Sequence, residues 1–166
     1  MYSYSIILKK EGEFMKRVLF LCACVSALAL PKMSKAADIV LEAESFTLKN
    51  AEVVADNDAS GKKAIRLLTA EAEATLDVTL EPGSYIMTVW EKSPDGSHDA
   101  FYAGVGDDNQ RFFPDKYNVW QELGKVLEFT VDKAGKKTVK IAVNWPGVKK
   151  KGEDGMLIDK IVIKKK

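Results

Sequence analysis

Residues 76–89 read Leu76-Asp77-Val78-Thr79-Leu80-Glu81-Pro82-Gly83-Ser84-Tyr85-Ile86-Met87-Thr88-Val89. Leu76, Val78 and Leu80 alternate with polar residues, Pro82-Gly83 interrupts, and Tyr85, Met87 and Val89 resume the alternation. A period of two puts successive side chains on opposite faces of an extended chain, and Pro-Gly marks a turn. The stretch is two strands and their connection, each strand with one apolar face. Working outward, Leu127, Phe129 and Val131 share a face, as do Val139, Ile141 and Val143. Turn signals punctuate the rest: Ser60-Gly61, Pro94-Asp95-Gly96, Gly106-Asp107-Asp108-Asn109, Ala134-Gly135, Pro146-Gly147 and Asp154-Gly155. Short alternating runs with this punctuation predict an all-β fold, a two-sheet antiparallel β-sandwich. Only Ala64 to Ala74 is ambiguous. Its Ala, Leu and Glu favour helix, whereas Gly61 before it and the alternation after it favour a strand entering a turn.

The 166 residues, 46% hydrophobic and 30% charged, suffice for one core of ordinary size. With 25 basic against 24 acidic residues and no basic face, nothing would capture nucleic acid. One histidine and two cysteines argue against a His/Cys metal site. No internal repeat is visible, and Lys164-Lys165-Lys166 is a solvated end.

Residues 15–36 have the layout of a secretory signal. Met15-Lys16-Arg17 is followed by an apolar stretch from Val18 to Leu30, then by Ser34 and Ala36 at the −3 and −1 positions of a cleavage site. A transmembrane anchor would need about 20 apolar residues, more than this stretch offers. Residues 1–14 are expected to lie upstream of the true start at Met15, since Lys10-Glu11-Gly12 can be encoded by a purine run like a ribosome-binding site. The mature domain is then 37–166, secreted or periplasmic. Removing six basic and two acidic residues from 25 and 24 leaves 19 against 22, a net charge of −3. Both cysteines, Cys22 and Cys24, fall within the signal, so the mature chain folds without disulfides. A competing reading takes Leu21-Cys22-Ala23-Cys24 as a loose lipobox with Cys24 lipidated.

Carboxylates stand near both ends of the domain. In Ile39-Val40-Leu41-Glu42-Ala43-Glu44, the spacing of two puts both glutamates on one strand face. Near the C-terminus Asp159 interrupts Met156-Leu157-Ile158-Asp159-Lys160-Ile161-Val162-Ile163, a run apolar enough for a central strand. A carboxylate there costs several kcal/mol unless it finds a partner. Lys62 or Lys63 could pair with it.

Leu41-Glu42-Ala43-Glu44, Pro82 to Val89, Asp99-Ala100-Phe101-Tyr102-Ala103-Gly104-Val105 and Glu153 to Ile161 resemble, in order, landmarks of the galactose-binding-like β-sandwich (jelly roll). The nearest branch is similar to the family 6 and family 35 carbohydrate-binding modules. The resemblance covers nearly all of 37–166. It implies that the first and last strands lie together and that Glu42, Glu44 and Asp159 ligate a structural Ca²⁺, a cation that takes six to eight hard oxygens.

The resemblance also implies a non-catalytic module that binds poly- or oligosaccharide on aromatic platforms. In Tyr117-Asn118-Val119-Trp120-Gln121 the first aromatic would stack on sugar and the second, Trp120, would pack inside. Trp145, in Asn144-Trp145-Pro146-Gly147, either lies at the ligand end or continues the inward face of Val139, Ile141 and Val143. Trp90 is a further candidate, and Asn118, Asn144, Asp99 or His98 could supply polar contacts. Leu157 departs from the family 6 pattern, which has a sugar-contacting Asn two residues before the last-strand acid. That departure favours an alternative: a sandwich without sugar binding, serving protein interaction or envelope assembly. A third reading is a sandwich-type polysaccharide lyase using Tyr102, His98 and Arg111 as base, acid and carboxylate neutraliser, although no motif ties the three together. Such modules usually ride on secreted glycoside hydrolases, which makes an enzyme of that kind the expected partner.

Overall fold

The computed structural model describes residues 37–166; the expected signal, the upstream extension and both cysteines lie outside them. The Pro82-Gly83 break joins β5 (Glu73–Leu80) to β6 (Gly83–Lys92), but the two strands enter different sheets. Among the described residues one sheet has the order β10 (Leu127–Val131), β6, β12 (Leu157–Lys165), β4 (Lys63–Leu67) and β3 (Ala51–Ala55), with β1 (Ile39–Glu42) on β12 and β9 (Gln121–Glu122) on β6. The other runs β2 (Thr47–Lys49), β5, β11 (Gly135–Ala142), β7 (Phe101–Val105) and β8 (Asp108–Phe112). Every pairing is antiparallel, as the alternation predicts. No helix among the described residues is long and apolar enough to cross a membrane.

The inward faces interdigitate to form the core. Met87 and Val89 of β6, Ile65 and Leu67 of β4, and Ile158, Ile161 and Ile163 of β12 are buried in it with Val139 and Ile141 of β11. Phe101 and Phe112 stack at 5.8 Å between ring centres, and Tyr85 and Phe129 at 5.4 Å. Ala64 to Ala74 resolves as strand, turn and strand: β4, a turn closed by Ala72 N–H donating to Thr69 O at 3.0 Å, then β5. Its helix propensity yields to burial of Ile65 and Leu67 in the core, an instance of packing overriding a weak local preference.

Two departures from regular strand shape the N-terminal and C-terminal ends. The chain leaves β1 at Glu42 and makes a 3-10 turn over Ala43–Ser45, closed by Phe46 N–H donating to Ala43 O at 3.1 Å. This turn drops Ala43 and Phe46 into the core. Glu42 and Glu44 are therefore not on one strand face, a correction to the sequence reading. On β12 the register with β6 slips between Ile158 and Lys160, leaving Asp159 as the extra residue of a bulge. On its other side β12 pairs β4 through Leu157 and Ile158, then β1 from Lys160 onward. Asp159 thus sits where the neighbouring strand changes.

Candidate functional site

At that junction Asp159, 3% exposed, accepts hydrogen bonds at Oδ1 from the Ser60 N–H (2.9 Å) and hydroxyl (2.7 Å). The Ser60 Oγ also stands 2.6 Å from Glu42 Oε2. A hydroxyl has one proton, so it satisfies one of these carboxylates at a time. Gly61, with φ 61°, brings its backbone beside Glu44, where a Cβ would lie 3.1 Å from Oε1. The other Glu44 oxygen is buried with no hydrogen-bond partner. Lys160 Nζ is 3.4 Å from Asp159 Oδ2. Ser60 and Lys160, not Lys62 or Lys63, are the partners of Asp159. The three acids therefore converge on the Ser60–Lys62 turn, where Lys160 is paired with Asp159 and neither glutamate has a salt-bridge partner among the described residues, although no ready-made cage of three or more His, Cys, Asp or Glu ligands exists among them.

The five residues expected to bind ligand fall in three places. Asn118 lines a cleft of about 290 Å³ at the loop end of the larger sheet, with Arg66, Lys92, Asp95, His98 and Leu157. Asn118 holds a left-handed φ of 56°, which Asn tolerates better than most residues, and its N–H donates to Ser93 O at 2.8 Å. Tyr117 stands beside this cleft. The residue is 47% exposed, while its hydroxyl packs against Gly96, between the lining Asp95 and His98, and donates to Asp99 Oδ2 at 3.1 Å. Asp99 accordingly raises the Tyr117 phenol pKa.

Trp145 and Asn144 line a second cleft, of about 360 Å³, on the smaller sheet. Trp145 does not continue the buried face of Val139 and Ile141. Its ring lies over Gly104 of β7, where a Cβ would come within 2.6 Å of Cη2, and Lys140 Nζ covers it at 4.1 Å from the ring centre. The Asn144 amide bridges loops, donating to Ala70 O at 2.8 Å and accepting from Gly152 N–H at 3.1 Å. Trp90, paired with Lys160 across β6 and β12, lies under Lys160 Nζ at 5.2 Å. Trp120 is half-buried, not fully inside, and lies under Lys92 at 5.7 Å with its indole N–H shielded from solvent.

Charges around the first cleft are mutually paired. Lys92 meets Asp56 at 2.9 Å and holds that carboxyl below its ordinary pKa. His98 Nδ1 meets Asp95 Oδ1 at 2.9 Å, which raises the imidazole pKa and lowers that of the carboxyl. The residues suggested for a lyase do not share a cleft. Tyr102 and Arg111 are register partners whose side chains donate to Lys150 O (2.7 Å) and Lys151 O (3.2 Å), while His98 belongs with Asp95.

The sequence reading missed Glu91. It lies 0% exposed beneath the Tyr117 loop, accepting from Ser93 Oγ at 2.6 Å and Gln121 Nε2 at 2.9 Å. Burial pushes its pKa up to about 7, against the lowering effect of these two bonds. Its signal was present in the sequence: Glu91 extends the inward series Tyr85, Met87, Val89 by one step.

This two-sheet antiparallel β-sandwich, with its first and last strands joined, is the fold found in family 6 and family 35 carbohydrate-binding modules. Among solved structures, a family 35 carbohydrate-binding module from Clostridium thermocellum is 20% identical with a TM-score of 0.59, over 76% of this chain and 98% of that one. The C-terminal family 6 module of a marine laminarinase from Zobellia galactanivorans is 13% identical, TM-score 0.60, over 78% and 100%. An exo-β-1,3-galactanase from Phanerochaete chrysosporium, solved with galactose, is 18% identical with a TM-score of 0.61 over 78% of this chain. The chain spans 30% of that enzyme's length. No protein-family model matches the chain, and no curated protein matches it.

Proposed function

We propose that this chain is an exported, non-catalytic domain that binds poly- or oligosaccharide at the loop-end cleft, with Tyr117 as stacking platform and Asn118 among its polar contacts. The observation that carries the reading is the exposed Tyr117 beside a cleft lined by hydrogen-bonding side chains, the combination a sugar's C–H face and hydroxyls require. The modules with this fold are carbohydrate-binding by name, and similar domains are parts of a galactanase and a laminarinase. The partner we infer is accordingly a secreted glycoside hydrolase whose polysaccharide this domain would hold.

A glycan array followed by titration tests the reading. Tyr117→Ala is expected to weaken binding about tenfold, the scale of one aromatic contact. Trp145→Ala should leave affinity within about twofold, because Lys140 and Gly104 already occupy that ring. Leu157 in the cleft, with Phe113, Tyr117 and Val119 exposed on one loop, favours a second reading as a protein-interaction domain. A blank array together with a protein partner lost on Tyr117→Ala would establish that reading and end the first.

We infer further that Glu42, Glu44 and Asp159 hold a structural Ca²⁺. The orphaned Glu44 oxygen and the single Ser60 proton facing two carboxylates fit a hard cation that would supply positive charge and tie β1 to β12. After chelation, Ca²⁺ at 100 times its dissociation constant should stabilise the domain by about 2.7 kcal/mol. Asp159→Ala should abolish that increment in calorimetric melting. An equal increment in the variant, or none in the parent, removes the site.

A further inference from the structure

We propose that Glu91 is the buried positioning residue of the loop-end site: it holds both anchors of the 113–120 loop, and its protonation state sets how firmly Tyr117 and Asn118 are presented. The proposal rests on reading this loop end as the ligand site, and it names how that site is regulated.

The loop is attached at two points, and Glu91 controls each. At one, Asn118 N–H donates to the carbonyl of Ser93, whose hydroxyl donates to Glu91 Oε2. At the other, Gln121 Nε2 donates both to Glu91 Oε1 and to Lys116 O, the latter at 2.6 Å. Glu91 and Ser93 are both 0% exposed, so neither carboxyl oxygen exchanges its partner for water without the loop moving.

The charges facing Glu91 make its ionisation matter. Asp99 from the segment before β7 and Asp115 from the loop both disfavour its anion, and Asp99 is the acceptor for Tyr117. Across β12 its register partner is the apolar Ile158, which offers no compensating charge. The titratable groups around Tyr117 and Asp99 are Glu153, whose carboxylate accepts from Asp99 N–H at 2.9 Å, and Asp95, which pairs with His98. With Glu91 protonated, its O–H can donate to Ser93 Oγ and the array is neutral at its centre. Once Glu91 ionises, the cost of a buried charge and its repulsion by Asp99 and Asp115 outweigh the stronger bonds the anion accepts from Ser93 and Gln121, and the closed arrangement of the loop is weakened. Burial places this titration near neutral pH.

The test needs no glycan, so it stands apart from the question of sugar binding. In the wild-type chain, the Glu91 carboxyl and the Tyr117 ring should titrate with one shared midpoint by NMR. Protection of the Asn118 amide against hydrogen exchange, corrected for intrinsic base catalysis, should fall about tenfold between pH 6 and pH 8. Glu91→Gln keeps one acceptor and one donor, mimics the protonated acid, and should hold that protection constant across the range. Different midpoints for Glu91 and Tyr117 overturn the proposal from wild type alone. So does a pH-dependent loop in Glu91→Gln, which would assign the effect to His98.

Discussion

Glu91→Gln should be about 3 kcal/mol more stable than the parent at pH 8 and nearly equal to it at pH 4. The carboxyl has a pKa of about 7 in the fold against 4.5 in its absence. Between these values the folded chain holds more protons than the unfolded one, so stability falls as pH rises from about 4.5 to about 7 and is level above. Glutamine has no charge to bury, yet its carbonyl can accept from Gln121 and its amide can donate to Ser93. Urea denaturation of both chains across this range checks the expectation. Curves that run parallel would mean that Glu91 is solvated when ionised, and the gap at pH 8 should correspond to roughly 10 °C in melting temperature.

Gly152→Ala should cost about 3 kcal/mol. A Cβ at Gly152 would overlap the carbonyl oxygens of Val143 and Ala100, both backbone atoms at the ends of packed strands. Gly152 N–H donates to Asn144 Oδ1, and the next residue, Glu153, donates its N–H to Ala100 O. The chain is thus pinned on both sides, and no flexible side chain can give way. Chemical denaturation measures the loss. A cost below about 0.5 kcal/mol would show that the lysine-rich loop before Gly152 lifts off freely, because only then would the added methyl find room.

Much of the scaffold was legible because burial on one face of a strand writes a period of two into the chain. Tyr85, Met87 and Val89, or Leu127, Phe129 and Val131, announce their inward face directly, and the structure buries all six. The adjacency of Glu42 and Asp159 was legible through family likeness, and β1 does pair with β12. Glu44 was misplaced because nothing local says that a strand ends at Glu42; burying Ala43 and Phe46 requires the turn. Trp145 was ambiguous for a similar reason. Alternation predicts its side only while the strand lasts, and β11 ends at Ala142.

Local alternation and turn chemistry are enough to specify the strands, their inward faces and the two-sheet class. Long-range packing, by contrast, puts Tyr117 and Asn118 at one cleft and Trp145 and Asn144 at another, and buries Glu91 behind the loop that carries Tyr117. Those arrangements depend on which loops meet at the ends of the sheets, and loop meetings are set by contacts between residues far apart in the chain. The Asp159 bulge is the clearest instance: its partner Ser60 lies 99 residues away, and no local pattern encodes that distance.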